Sequence, residues 1–87
     1  MSATTKTPTK VPITLRVLHG PRAVVAELEM TSGDGTVYVF AGDAKCHPND
    51  KNDPAIGESY AVCRALREAA DNFEAFADWK VETRGTW

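Results

Sequence analysis

Eighty-seven residues, 43% of them hydrophobic, provide for one small core and no second one. Ten basic against twelve acidic residues leave a net charge of -2, so no overall field draws in nucleic acid or an anionic membrane, although a local basic face is compatible with it. Two cysteines do not make the dense framework of a small secreted scaffold, and neither a signal-peptide core nor a membrane-length apolar run is present, so a soluble cytoplasmic protein with reduced thiols is expected.

Residues 1–10 are rich in Thr, Lys and Pro without periodicity and read as a flexible tail; residues 11–87 read as a single domain. Val11, Ile13, Leu15 and Val17 alternate with Pro12, Thr14 and Arg16, the period of a strand buried on one face. Pro12 places that strand's start, or the whole strand, at a sheet edge. After His19-Gly20-Pro21, Val24, Ala26, Leu28 and Met30 alternate with Val25, Glu27 and Glu29, a second strand antiparallel to the first. Thr31-Ser32-Gly33-Asp34-Gly35 supplies a hairpin turn with two glycines able to take positive φ.

The third run, Thr36 to Ala41, is apolar at every position after the first, so both its faces ask for cover. With Val37 and Val39 turned toward a helix, Tyr38 and Phe40 project from the opposite face, to be covered by the Trp79 segment or by another chain. Turn formers from Pro48 to Pro54 make Lys45 to Ala55 a loop. A helix then starts either at Asp53-Pro54 or at Gly57-Glu58-Ser59 and runs from about Ser59 to about Ala77. Its apolar stripe is Tyr60, Cys63, Leu66, Ala70, Phe73 and Ala77, widened by Ala61, Ala65, Ala69 and Phe76. Trp79 to Thr83 reads either as a short extra strand or as an ordered tail. The fold class is α+β: a three-stranded antiparallel meander followed by one long helix.

No residue set compels a reaction. Cys46-His47, with Asp43, Asp50, Asp53, His19 and Cys63, lacks the closely spaced ligand pairs of a structural zinc site, and Cys63 falls on the apolar stripe. Cys46 or Ser59 beside His47 or His19 forms no nucleophile signature, and Asp43, Asp50 and Asp53 lack the alternation of a calcium loop. No enzyme, metal or cofactor is therefore expected. Three strands followed by a helix is also the core of the double-stranded-RNA-binding fold, whose members track phosphates with a lysine-rich helix start. Here that start carries Asp53 and Glu58, and only Lys45, Lys51, Arg64 and Arg67, with His47, are positive nearby, which disfavours duplex or ribosome binding. Arg64 reads first as a clamp holding the Lys45–Ala55 loop to the helix.

Gly42-x-Ala44, Pro48-x-Asp50, Pro54-x-Ile56-Gly57 and Ala61-x-x-Arg64-Ala65-Leu66 resemble the blocks of a family of small actinobacterial and phage proteins. The resemblance implies a β-β-β-α domain like that of double-stranded-RNA-binding proteins, commonly dimeric and mostly without an assigned role. Some members are linked to dormancy and likened in shape to ribosome-silencing factors. The expectation is a non-enzymatic interaction module of accessory or regulatory type, dimerising through the sheet with Tyr38 and Phe40 at the contact and acting on a host or self protein. The alternative is RNA or ribosome binding through Lys45, Lys51, Arg64 and Arg67.

Overall fold

In a computed structural model the described residues are Pro8 and residues 10–85. Apart from Pro8 and Lys10, the expected N-terminal tail lies outside them. The chain forms strands β1 (Ile13–His19), β2 (Ala23–Thr31) and β3 (Val37–Lys45), then one helix, α1 (Pro54–Arg84). The sheet is an antiparallel meander in the order β1-β2-β3, so both β1 and β3 are edge strands. Among the described residues no helix is long and apolar enough to cross a membrane.

Registers follow from the two turns. Pro12 accepts from the Thr31 amide at 3.1 Å and Gly20 donates to Ala23 at 2.7 Å, which fixes Leu15 opposite Leu28 and Val17 opposite Ala26. The β2–β3 connection is a three-residue loop closed by Ser32 N–H to Thr36 O at 2.8 Å; Gly35, at φ 88°, takes the left-handed position that the loop requires, while Gly33 does not use one. Asp34 braces it by accepting from the Ser32 hydroxyl and, at 3.0 Å, from the Thr36 amide. These bonds hold its carboxyl down at about 2.

Of the two helix starts, the chain uses Asp53. Its side chain accepts from the Ala55 amide at 3.0 Å and Pro54 opens the first turn. The helix also continues beyond Ala77, through the segment that read as a strand or tail, to a left-handed cap at Gly85 that donates to Val81 O at 2.7 Å. A strand at Trp79–Thr83 would have needed a free sheet edge within reach, whereas a helix satisfies its own backbone. Strands of nine residues span about 30 Å, and the helix about 46 Å, so its C-terminal turns overhang the sheet. Phe76 and Trp79 stand exposed there, with the Lys80 ammonium over both rings.

The helix contact line differs from the expected stripe. Ala61, Ala65 and Ala69 are buried, with Phe73 completing the same i+4 row, whereas Tyr60 and Leu66 are 56% and 51% exposed. Small residues win because the sheet beneath offers Ala26, Gly42 and Ala44, and two flat surfaces approach more closely than two ridged ones. At Gly42 the approach is closest: a Cβ there would lie under 3 Å from the Ala65 nitrogen, the Ala61 oxygen and the Arg64 carbonyl carbon. Bulk comes in at the far end, where Phe73 meets Tyr38 and Phe40 edge-on, with ring centroids 5.3 and 5.7 Å apart.

This geometry reverses the expected sidedness of β3. Tyr38, Phe40, Gly42 and Ala44 face the helix, while Val37 and Val39 lie on the open face with Ala41. Phe40 is a core residue, so the aromatic pair is not the expected contact surface for another chain. The open face also carries Thr14, Arg16 and Leu18 of β1 and Val25, Glu27 and Glu29 of β2, with Arg16 Nε on Glu27 at 3.0 Å.

Candidate functional site: the two sheet edges

Ladder parity decides which backbone groups each edge strand leaves unpaired. Because the Pro12–Thr31 and Gly20–Ala23 positions are hydrogen-bonded, the even residues of β1 bond to β2, and the N–H and C=O groups of Ile13, Leu15 and Val17 point outward. In β3 the bond from Cys46 N–H to Arg22 O sets the even residues toward β2 in the same way, leaving residues 39, 41 and 43 outward.

The two edges are treated differently. On β3, Glu68 accepts from the outward Ala41 amide at 2.9 Å, and Arg64 donates to the outward Asp43 carbonyl at 2.7 Å. Helix side chains thus occupy the places a further strand would take, a common way of blunting an exposed edge. On β1, no group among the described residues meets the outward set. Pro12 does not block it either, because its missing amide hydrogen would have pointed inward toward β2. The row Ile13, Leu15 and Val17 shares a face with the β2 core residues, but α1 lies over β2 and β3 and barely touches β1. Ile13 and Leu15 therefore stay 59% and 45% exposed, and only Val17 of the row packs against the core. At the upper end of that strip, His19 Nε2 lies 3.4 Å from Glu58, tying β1 to the first helical turns.

The residues singled out from sequence do not converge. Lys45 and Lys51 line one cleft of about 460 Å³ between the loop and the helix start. Arg67 sits on the helix flank beside Val62, Cys63 and Leu66. Arg64 binds the end of β3 and stacks on Tyr60, 5.3 Å from the ring centroid, and does not clamp the loop. The loop is held instead by Arg22, whose guanidinium donates to His47 O at 2.9 Å, to Asp50 O and, at 3.1 Å, to Cys46 Sγ. Asn52 adds a bond to Pro21 O at 3.2 Å. Sequence reading passed over Arg22, because a side chain bonded to loop carbonyls leaves no residue pattern; its place next to the β1–β2 turn was the available hint.

The chemical candidates are similarly engaged. His47 Nδ1 accepts from its own loop at Asn49, and the Ser59 hydroxyl donates to Ala55 O at 3.0 Å. Cys63 lies on the flank of the helix away from Cys46, and both thiols are free. Among the described residues no three His, Cys, Asp or Glu side chains come together as a metal cluster. The first-turn amides of α1 are satisfied as well: Ala55 by the Asp53 carboxylate, and Ile56 and Gly57 by the Asp53 carbonyl at 3.1 and 3.2 Å. An acidic side chain thus stands where a helix start would otherwise receive a phosphate.

The crystal structure of Rv2632c, a mycobacterial protein, superimposes on the chain with a TM-score of 0.78 over 91% of this chain and 93% of that one, at 22% identity, which shows a shared fold. Among curated proteins nothing matches. The family described as Rv2632c-like matches residues 9–85, nearly the whole chain. The chain therefore belongs to the Rv2632c-like family.

Proposed function

We propose that this is a non-enzymatic protein-interaction module whose working surface is the β1 edge together with the apolar strip beside it. One observation carries the reading: the β3 edge is interrupted by Glu68 on the Ala41 amide and Arg64 on the Asp43 carbonyl, whereas the β1 edge keeps its outward backbone groups and half-exposed Ile13 and Leu15. Strand addition at such an edge draws affinity from main-chain hydrogen bonds and specificity from alternate side chains. An accessory or regulatory role, in dormancy or on behalf of a phage, needs nothing more than this surface and a partner.

RNA or ribosome binding has less behind it. The four cations named for it are dispersed over three surfaces, Arg64 is committed to Asp43 and Tyr60, and Asp53 fills the helix start. The test is a comparison of chains that differ only at the edge. Proline at position 15 removes an outward amide and leaves the bonds to β2 intact, a placement that edge strands tolerate. Wild type and Leu15→Pro are used to capture proteins from host lysate, with mass spectrometry of what each retains. Partners lost with Leu15→Pro, a second copy of the chain among them, support the reading; an identical set on both chains, with self-association also unchanged, overturns it.

A further inference from the structure

Building on that reading, we infer that the occupant of the β1 edge is the β1 edge of a second copy, paired antiparallel across a two-fold axis at Leu15. The strand is self-complementary about that residue. In this register Leu15 faces its own mate and Ile13 faces Val17, so the outward groups of all three residues in each copy find partners, six hydrogen bonds in total by the ladder rule. The apolar rows of both copies then join on the helix side into one strip with no polar side chain inside it.

Charge excludes one neighbouring register, and the extent of β1 disfavours the other. Arg16 is the one lysine or arginine in β1. With the axis at Leu15 it faces Thr14 of the other copy; with the axis moved one residue toward His19, the two Arg16 side chains would oppose each other directly, an unfavourable pairing, and with it moved one residue the other way Val17 would face Val11, outside β1. Steric room is sufficient. The two copies form one six-stranded sheet in the order β3-β2-β1-β1-β2-β3, with both helices on the same face. Each helix lies over β2 and β3, so the helix axes stand four strand spacings apart, about 19 Å. Helices in contact lie about 8–10 Å apart, so the two do not collide. At the β3 edges Glu68 and Arg64 already hold the Ala41 amide and the Asp43 carbonyl, which disfavours addition of a further strand at either side.

The experiment is sedimentation equilibrium of the full chain on the order of tens of micromolar, run beside Leu15→Pro, Leu15→Cys and Arg16→Cys. Expected are twice the chain mass for wild type and a single-chain mass for Leu15→Pro, with far-UV circular dichroism unchanged. Under mild oxidation Leu15→Cys forms a covalent dimer that the wild-type chain, with Cys46 and Cys63 alone, does not form. Facing residues of a hydrogen-bonded pair have Cα atoms about 5.5 Å apart, inside the disulfide range. Arg16→Cys links poorly. A monomeric wild type overturns self-pairing while leaving the interaction module standing, since that reading falls only when Leu15→Pro retains every partner. A dimer that survives Leu15→Pro, or that links better through Arg16→Cys, overturns the edge or the register. Protection of the β1 edge in a monomer would assign it to the chain's own N-terminal residues and likewise overturn the proposal.

Discussion

Gly42→Ala is the most discriminating single change in this fold. The added Cβ would fall under 3 Å from main-chain atoms of Ala61, Arg64 and Ala65, none of which can rotate away as a side-chain tip can. To make room, the helix must lift off the sheet along the Ala61-Ala65-Ala69 row, loosening the buried packing on Ala26, Phe40 and Ala44. Overfilling a packed core costs about 1–3 kcal/mol, and a clash with backbone belongs at the top of that range or above it. A domain of this length has about 4–13 kcal/mol to lose. With a urea slope of about 1 kcal/mol/M, the midpoint should fall by about 2–3 M. Gly57→Ala is the internal control. Its Cβ would meet only the Val24 side chain, at 3.0 Å, so a shift of a few tenths of an ångström relieves the contact while the helix gains about 0.8–1 kcal/mol in propensity, and the midpoint should move far less than for Gly42→Ala. If urea melts place Gly42→Ala within about 0.3 M of wild type, the helix does not rest on this strand and the account of the core is wrong.

Amide hydrogen exchange should alternate along β1 at dilutions where the chain is a monomer, with Thr14, Arg16 and Leu18 slow and Ile13, Leu15 and Val17 fast; uniform protection would contradict the parity that leaves the edge open. Asp53→Ala should cost about 1 kcal/mol by removing the bond to the Ala55 amide, with Asp53→Asn or Asp53→Ser restoring most of it, as read from thermal melts; equal losses in all three would deny the capping role. The Asp34 carboxyl, held at about 2 against an ordinary 3.8, contributes turn stability that is fully present above the ordinary value and is lost as pH falls through about 2. Its carboxyl carbon shift should titrate near the lower value, and Asp34→Asn should abolish that titration; a midpoint near 3.8 would refute the brace. Duplex RNA should show no binding even at low salt, where phosphate contacts are strongest, and saturable low-salt binding would revive the nucleic-acid reading.

The strands were legible because alternation in Ile13 to Val17 and in Val24 to Met30 encodes burial on one face directly. The hairpin was legible because Asp34 and Gly35 have few alternatives to a turn. Chain order then gave the meander, and the 3.6-residue period gave the helix. The sequence did not show which side of β3 is covered. Val37 to Ala41 is apolar at every position, so local hydrophobicity assigns no inner face, and the aromatic pair was placed outside. The row Tyr38, Phe40, Gly42, Ala44 held the missing signal, since only a glycine admits a helix so near the backbone. The helix stop was marked too, by Gly85 after Arg84.

What sequence alone determined here is local: period, turn chemistry and capping depend on near neighbours in the chain, and each can be read within a few residues. Tertiary structure decided everything that depends on the distance of closest approach. The helix rests on alanines and leaves Tyr60 and Leu66 outside, because contact between surfaces rewards flatness as well as hydrophobicity. The same placement sets Glu68 and Arg64 over one sheet edge and leaves the other open. That difference between edges, on which the functional reading rests, exists only once residues 21 to 27 positions apart are brought together.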